Sequence, residues 1–214
     1  MSISYSSRAT VSLLGFDPDL PPGRLNFDRV LFLDFDGVLH PDAGDDDMYF
    51  CFMSNFCDVL RAVDPKGEIP IVVSSDWKLT QTVKKLRSHF PDDIGRQIVG
   101  VTSDLLNEND SSADPWVMAG GLPSKIGSRE REVLAWMRDF APAGEWLAID
   151  DRPSYFGDDC PHLFTVPGLY EDEGGGINGM VADDLRARMQ AFLGLRTVPE
   201  MLELTPKVFR PRHR

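Results

Sequence analysis

Short apolar runs alternate along the chain with stretches in which apolar residues recur at helical spacing. The runs are too short for buried helices and are rich in β-branched residues, as in strands that are covered on both faces. They predict strands at residues 30–35, 69–73, 98–101, 146–149 and 163–166. The amphipathic stretches predict helices at residues 48–63, 78–90, 128–140 and 181–193.

The order of these elements indicates an α/β fold built on a doubly wound, Rossmann-like parallel sheet. Right-handed crossovers would place helices on both faces of that sheet. Its ligand crevice would then lie beyond the carboxyl ends of the strands. Candidate chemistry is therefore expected where the apolar runs end.

A chain of 214 residues is long enough for one substantial core and short for two domains. Residues 1–27 are rich in Ser, Pro and Gly, which predicts an extension that lies on the surface or is disordered. Residues 28–195 are expected to form the single folded domain, and residues 196–214 a tail. The irregular segments 41–47 and 103–124 predict loops, of which the second is long enough for a lid or a binding loop.

The net charge of −12 disfavours nonspecific attraction to phosphate backbones or anionic lipid over most of the surface. The one basic cluster is at residues 207–214, which we interpret as a solvated end. No apolar run approaches the length that crosses a bilayer, and the acids that follow the short apolar patch near the start lead us to expect no secretory signal. We expect a cytoplasmic protein without a membrane partner; the sequence does not indicate its oligomeric state.

The strongest chemical signal is LFLDFDGVL at residues 31–39, where a buried strand ends in two carboxylates. Asp34 and Asp36 are two positions apart, so strand geometry sends both side chains to the same side, and Gly37 allows a sharp turn after them. Two like charges at the edge of a core are costly unless a cation neutralises them. Carboxylate oxygens that leave room for water and a phosphate suit Mg²⁺.

This stretch resembles the first motif of the haloacid dehalogenase (HAD) superfamily, an apolar strand followed by DxD and a turn. The resemblance implies that Asp34 attacks phosphorus, and that Asp36 protonates the leaving oxygen and then activates water. It also implies a Mg²⁺ cofactor to which both carboxylates contribute, with Gly37 among the residues that contact the substrate.

A second family motif is a strand that ends in Ser or Thr, whose hydroxyl binds the phosphoryl oxygens. The sequence IVVSS at residues 71–75 resembles it, which implies Ser74 as the substrate-binding hydroxyl and Ser75 as the alternative. A Ser at a strand end also commonly caps the following helix, so this motif is weak when taken alone.

A third family element is a basic residue that balances the charge of the nucleophile and the phosphate. Lys125 and Arg129 both precede the fourth predicted strand, at or near the start of the helix predicted at residues 128–140. The resemblance favours Lys125, because the family commonly uses Lys, whereas the sequence REREV from Arg129 resembles some members without a cap domain. A solvated surface charge is an open alternative for both residues.

The fourth element is WLAIDD at residues 146–151, which resembles the paired acids that complete the metal site of the family. It implies Asp150 as a Mg²⁺ ligand and Asp151 as an alternate or supporting one. A turn or helix cap would also explain an isolated pair of acids. Other members place an acid about four residues further on, whereas this chain has RPSY at residues 152–155. The resemblance covers roughly residues 30–166.

The segment between Asp36 and the second predicted strand is too short for a folded cap domain, which leaves a minimal cap of one helix and a flap. The resemblance to capless HAD enzymes implies a phosphomonoester hydrolase that works through an aspartyl-phosphate. The open site of such members implies either a large phosphorylated substrate, with a protein, a nucleic-acid end or a nucleotide as candidates, or a partner that closes the site. A catalytically weak binding or regulatory module, and a phosphotransferase to an acceptor other than water, stay open as alternatives.

Three further features carry less weight. His40 follows the DxD turn closely enough to touch a substrate. The sequence GGGING at residues 174–179 matches the GxGxxG pattern but follows acids instead of a strand, which indicates a flexible loop. The aromatic and Met residues between positions 48 and 56 fit core packing at helical spacing better than a substrate-facing flap.

Overall fold

The structure is a computed structural model that describes residues 27–41, 46–104, 126–167 and 175–195. The strands are β1 (Arg29–Leu33), β2 (Ile71–Val73), β3 (Ile98–Val101), β4 (Glu145–Asp150) and β5 (Leu163–Thr165). The α-helices in these ranges are α1 (Met53–Val63), α2 (Val83–Arg87), α3 (Asp92–Gly95), α4 (Ser128–Phe140) and α5 (Gly179–Phe192). Short 3₁₀ helices lie at Asp46–Met48, Asp76–Leu79 and Pro153–Tyr155.

The strands form one sheet in the order β3-β2-β1-β4-β5, and every neighbouring pair is parallel. The chain runs outwards from β1 to β3 and then returns to the other side of β1 to form β4. The direction of winding therefore reverses between β1 and β4, and such a switch point opens a crevice at the carboxyl ends of the strands. The predicted doubly wound α/β fold is confirmed.

The central strand is buried on both faces because its side chains alternate between two apolar layers. Leu31 and Leu33 pack in the layer that contains α1 and α5. Val30 and Phe32 pack in the layer that contains α4, where the ring of Phe32 meets the edge of Trp136 at 5.7 Å between centroids. Because both faces are filled with apolar groups, polar chemistry is confined to the strand ends.

The segment between β1 and β2 contains one described α-helix, in agreement with the predicted minimal cap. The helix predicted at residues 48–63 begins later, at Met53. Phe50 adopts a left-handed backbone conformation, with φ of 60°, through which a right-handed helix cannot continue. The residues before Met53 therefore form a turn instead of a first helical turn.

The helix predicted at residues 78–90 is also shorter than expected. The 3₁₀ helix Asp76–Leu79 comes first, and α2 begins only at Val83. The hydroxyl of Thr82 accepts a hydrogen bond from the backbone N–H of Lys85, which caps a new helix at that point.

Some sequence-based predictions fall outside the described residues: Lys125, nearly all of the extension at 1–27, the tail at 196–214, and most of the loops at 41–47 and 103–124. The proposed domain limits of 28–195 therefore stay a prediction. Among the described helices, none is long and apolar enough to cross a membrane.

Candidate active site

Polar side chains gather where β1, β2 and β4 end, on both sides of the switch point. Asp34 directly follows β1, and its backbone N–H donates to the carbonyl oxygen of Ile149 in β4 at 3.1 Å. Ser74 directly follows β2, and its N–H donates to the carbonyl oxygen of Leu33 at 2.9 Å. Asp150 is the last residue of β4. The register of the three strands thus brings these side chains to one edge of the sheet.

Three carboxylates converge at this edge, and we call them the acidic cluster: Asp34, Asp150 and Asp151. Each offers one oxygen, and these oxygens lie within 4.8 Å of one another. Asp150 is fully buried and Asp34 is 4% exposed. Closely spaced carboxylate oxygens are the ligands that hard divalent cations prefer, so the donor set fits such a cation.

The pKa values within the acidic cluster indicate that it is short of positive charge. Burial raises the pKa of Asp150 to about 8, and the neighbouring Asp34 carboxylate adds to the rise. Burial also raises the pKa of Asp34, against the attraction of Arg129. A bound cation would favour the ionised carboxylates, so it would supply the charge that the cluster lacks.

Arg129 is the buried cation of the site, with a side chain 7% exposed. Its Nη1 lies 3.1 Å from Oδ1 of Asp34 and 3.4 Å from Oδ2 of Asp150, and its Nη2 lies 3.2 Å from Oδ1 of Asp76. Desolvation acts to lower the pKa of Arg129, but the carboxylates around it outweigh this and raise the pKa above its usual value. The guanidinium therefore stays charged in its buried position.

The start of α4 positions Arg129. Gly127 precedes the helix, and a side chain at this position would collide with the backbone carbonyl of Tyr155. The guanidinium of Arg129 lies over the ring of Tyr155, 5.3 Å from its centroid. The more exposed Arg152 lies on the same ring at 5.6 Å, with its Nε 4.0 Å from Oδ1 of Asp151. Helix start and aromatic ring together direct Arg129 towards the acidic cluster.

Asp36 lies outside the acidic cluster. Its Oδ1 is 3.0 Å from Nε2 of His40 and accepts a hydrogen bond of 3.0 Å from the indole N–H of Trp77. Burial acts to raise the pKa of Asp36, but these hydrogen bonds outweigh it and hold the pKa below its usual value. The metal-binding role expected for Asp36 stays a prediction. His40, expected near the substrate, is 1% exposed.

Ser74 and Ser75 are both buried. Hydrogen bonding by the Ser75 hydroxyl acts to lower the pKa values of Asp34 and Asp36, although burial outweighs it at Asp34. The same hydroxyl also caps the 3₁₀ helix, accepting from the backbone N–H of Trp77 at 3.4 Å. Of the two predicted hydroxyls, the alternative one, Ser75, is the one that the structure shows against the carboxylates.

Gly37 makes the close approach of the β1 turn to β4 possible. Its φ of +72° lies in the left-handed region, and a side chain there would collide with the carboxylate of Asp151. Only glycine combines this conformation with this contact at no steric cost. The predicted turn role of Gly37 is thus visible in the structure, and its contact with substrate stays a prediction.

A buried ion pair that sequence reasoning missed lies behind the site. Nζ of Lys78 is 2.6 Å from Oε2 of Glu132, 3.0 Å from Oγ1 of Thr102 and 3.1 Å from the carbonyl oxygen of Ser74. The two charged side chains are 4% and 5% exposed. These three acceptors occupy the three N–H donors of the ammonium group. Lys78 therefore holds α4 in place near Arg129 instead of facing a ligand.

Comparison with known proteins places these residues in one segment. Residues 30–168 match the family described as the HAD domain in Swiss Army Knife RNA repair proteins. The match covers more than half of the chain and includes the acidic cluster, Asp36, Ser75 and Arg129. Neither the curated proteins nor the solved structures include a significant match to the chain.

Proposed function

Because the chain belongs to the family of HAD domains in Swiss Army Knife RNA repair proteins, we propose that it is a Mg²⁺-dependent phosphomonoesterase with Asp34 as its nucleophile. Membership of the family already indicates a HAD-type hydrolase or phosphotransferase. One observation carries the finer proposal: Asp34 belongs to the acidic cluster and is in direct contact with the buried guanidinium of Arg129. A carboxylate that accepts a phosphoryl group needs positive charge beside it, because the carboxylate and the phosphate are both negative.

The reaction has two steps with balanced proton transfers. In the first, a carboxylate oxygen of Asp34 bonds to phosphorus while the bond from phosphorus to the leaving oxygen breaks, and that oxygen takes a proton from Asp36. In the second, a water oxygen bonds to phosphorus and gives a proton to Asp36, while the bond from phosphorus to Asp34 breaks. Inorganic phosphate leaves, and both carboxyl groups return to their starting states.

The described side chains fit these roles. Arg129 contacts Asp34 directly, so its guanidinium is placed to stabilise the charge that develops on the phosphoryl oxygens. A Mg²⁺ ion held by the acidic cluster would supply further positive charge and polarise a phosphoryl oxygen. The negative charge of a bound phosphate would raise the pKa of Asp36, because like charge disfavours its ionised form, and so would prepare it to donate a proton.

We propose that the phosphate is at the end of a nucleic-acid strand or on a nucleotide, since the family description names RNA repair proteins. The net charge of −12 argues against recognition through a long run of backbone phosphates. Recognition would then depend on the nucleotide that carries the phosphate.

The test is phosphate release from a generic aryl phosphate and from oligonucleotides with a 3′- or 5′-terminal phosphate, with and without Mg²⁺. Release should require Mg²⁺ and should fall by roughly 10³-fold or more in Asp34→Asn. Asp183→Asn is the matched control, because it makes the same substitution at an exposed position on α5. Turnover by Asp34→Asn at the rate of the wild type, or release that is independent of divalent cations, would contradict the proposal.

A further inference from the structure

An open depression of about 460 Å³ adjoins the carboxylate of Asp36. The residues that line it come from the DxD turn and the stretch just after it, from the turn before α1, and from the 3₁₀ helix after β2 with the two residues that follow that helix. They are Asp36, Pro41, Tyr49, Asp76, Trp77, Thr80 and Gln81. In the proposed reaction Asp36 protonates the leaving oxygen, so the group attached to that oxygen must extend towards this depression.

Two aromatic rings line the depression, and contacts with neighbouring side chains hold both in place. Trp77 donates its indole N–H to Asp36, which fixes the plane of its ring. Tyr49 meets Trp77 edge to face, with centroids 5.7 Å apart and an interplanar angle of 84°. The buried ring of His40 lies behind Tyr49 at 5.2 Å. Although it packs against these rings, Tyr49 is 50% exposed.

The unusual backbone of Phe50 explains why Tyr49 stays at the surface. A φ of 60° is rare for an aromatic residue and costs conformational energy. In this conformation Phe50 turns inwards and stacks on His89, with centroids 4.8 Å apart. Tyr49, the preceding residue, is left at the mouth of the depression. Strain of this kind persists where the surrounding structure holds a functional geometry.

The polar lining determines what the aromatic rings can accept. Among the described residues, those that line the depression include two acids and no base, so a phosphate group would be repelled from the depression itself. Thr80 and Gln81 add neutral hydrogen-bonding groups, and the side-chain oxygen of Gln81 is 2.8 Å from Nε2 of His89. A flat, uncharged ring system with polar edges matches this combination of a stacking surface and polar groups.

We propose that the depression is a stacking site for the nucleobase of the nucleotide that carries the scissile phosphate, and that Tyr49 and Trp77 determine this specificity. The inference rests on the proposed phosphomonoesterase function and gives its substrate class a structural basis. A phosphotyrosine ring would also stack, but its edge offers no amino or carbonyl groups to Gln81 and Thr80. The site therefore favours a terminal nucleotide over a phosphopeptide, and a monophosphate over a diphosphate.

The experiment uses the full chain and oligonucleotide pairs that differ by one base. Short oligonucleotides with a 3′- or 5′-terminal phosphate are compared with counterparts that lack the base at the phosphorylated residue. In the wild type, kcat/KM should be higher for the substrates that carry the base, by about tenfold, which is the usual range for one stacked base. Tyr49→Ala should remove this difference through KM, and Tyr49→Phe should keep it.

Leu79→Ala provides the control for nonspecific effects, since Leu79 is an exposed apolar residue of the same 3₁₀ helix outside the lining. This variant should leave kcat/KM unchanged for both substrates. Equal kcat/KM for the two substrates in the wild type would overturn the proposal, as would an equal loss for both in Tyr49→Ala. The wild type could instead prefer a phosphotyrosine peptide over every oligonucleotide and lose this preference in Tyr49→Ala. That result would overturn the nucleobase site in favour of a peptide substrate.

A binding measurement separates failure of this inference from failure of the proposed function. Calorimetry with Asp34→Asn and Mg²⁺ should show about tenfold tighter binding of a nucleoside monophosphate than of ribose phosphate, and Tyr49→Ala in that background should abolish the difference. Absence of phosphate release from every substrate, including the aryl phosphate, would overturn the proposed function. Absence of the affinity difference, with phosphate release intact, would overturn the stacking site alone.

Discussion

Two carboxylates that are two positions apart in the chain have opposite surroundings at the scale of single residues. Asp34 is buried beside Asp150, and burial raises its pKa. Asp36 has its pKa lowered, because hydrogen bonds from His40 and Trp77 outweigh the effect of its burial. These shifts are opposite to those that the proposed roles need, because a nucleophile must be ionised and a proton donor protonated, so a bound phosphate must raise the pKa of Asp36. Positive charge near Asp34 is needed to keep it ionised.

Asp150→Asn is expected to stabilise the metal-free protein at pH 8 while it abolishes Mg²⁺-dependent activity. The pKa of Asp150 is about 8 in the folded protein, against 3.8 for an ordinary Asp. The folded state thus binds a proton that the unfolded chain releases, so the wild type loses stability as pH rises from about 4 to about 8. Asn cannot ionise and still accepts the hydrogen bond that the backbone N–H of Arg152 donates to Asp150.

Thermal unfolding in the presence of a chelator measures this effect at pH 6 and pH 8. The variant should exceed the wild type by roughly 1–3 kcal/mol at pH 8, and by less at pH 6. For a chain of this size, each kcal/mol corresponds to about 2–4 °C in Tm. The same pH dependence in both proteins would show that Asp150 is not the group that titrates.

Arg129→Lys is expected to lower kcat by about 10²-fold while the fold is retained. Arg129 contacts Asp34, Asp150 and Asp76 through two nitrogens, a geometry that a single ammonium group cannot reproduce. Steady-state kinetics with Mg²⁺ and circular dichroism provide the measurement. Lys125→Ala is the comparison, because sequence reasoning favoured that residue. Loss of activity in Lys125→Ala together with full activity in Arg129→Lys would assign the charge-balancing role to Lys125.

The relation of α4 to the loop after β2 is the decisive feature at the scale of elements. Gly127 lets the helix start close to Tyr155, and Glu132, one turn after Arg129, binds Lys78 from that loop. The start of α4 is therefore held from two sides. Its position determines where the guanidinium of Arg129 lies, so packing behind the site contributes to the geometry within it.

Lys78→Met is expected to destabilise the protein by about 3–5 kcal/mol, because it leaves the buried Glu132 carboxylate without its partner charge. The double variant Lys78→Met/Glu132→Gln should recover much of this loss, since Gln is neutral and can still bond the hydroxyl of Thr102. Urea unfolding of the wild type, the single and the double variant measures the effect. A double variant as unstable as the single one would rule out an uncompensated charge as the cause.

The elements of the sheet could be predicted from the sequence more closely than those around them. A strand covered on both faces needs a short apolar run, and the predicted range 98–101 matches β3 residue for residue. Helix starts depend on contacts from elsewhere: the left-handed conformation of Phe50, which delays α1, is held by packing against Trp77 and His89. No pattern in the neighbouring sequence predicts that packing.

The candidate site likewise contains residues that the sequence predicts and residues that it does not. Asp34 and Asp150 follow apolar strands in recognisable motifs, and the sheet register brings them together. The pairing of Lys78 with Glu132 joins positions far apart in the chain, which no spacing rule anticipates. Tyr49 belongs to a group of residues whose spacing favours core packing, yet it is half exposed at the depression beside Asp36.

The distribution of charge matters most at the scale of the whole molecule. The chain carries 34 acidic and 22 basic residues, and the basic cluster at 207–214 is the exception to its acidity. Nonspecific affinity for nucleic acids comes from phosphates that Lys and Arg neutralise. Stacking on Tyr49 and Trp77 does not depend on such contacts, so substrate recognition is expected to be largely insensitive to salt.

The kcat/KM for a phosphorylated oligonucleotide is therefore expected to fall only slightly between 50 and 200 mM salt. When the logarithm of affinity is plotted against the logarithm of salt concentration, each neutralised phosphate of a single strand adds about −0.7 to the slope. We expect a total slope no steeper than about −1.5. A chain without residues 207–214 is the matched variant. A steep slope that persists in the shortened chain would point to a basic surface elsewhere.

The central place of β1 in the sheet ties catalysis to the last stages of folding. Residues 29–33 pair with residues 145–149. Contacts between residues so far apart in the chain form slowly. A nascent chain that ends before β4 already contains Asp34, Ser75 and Arg129 but lacks Asp150. Partly folded forms would therefore carry no residual activity, and the return of phosphate release during refolding would time the docking of β4 onto β1.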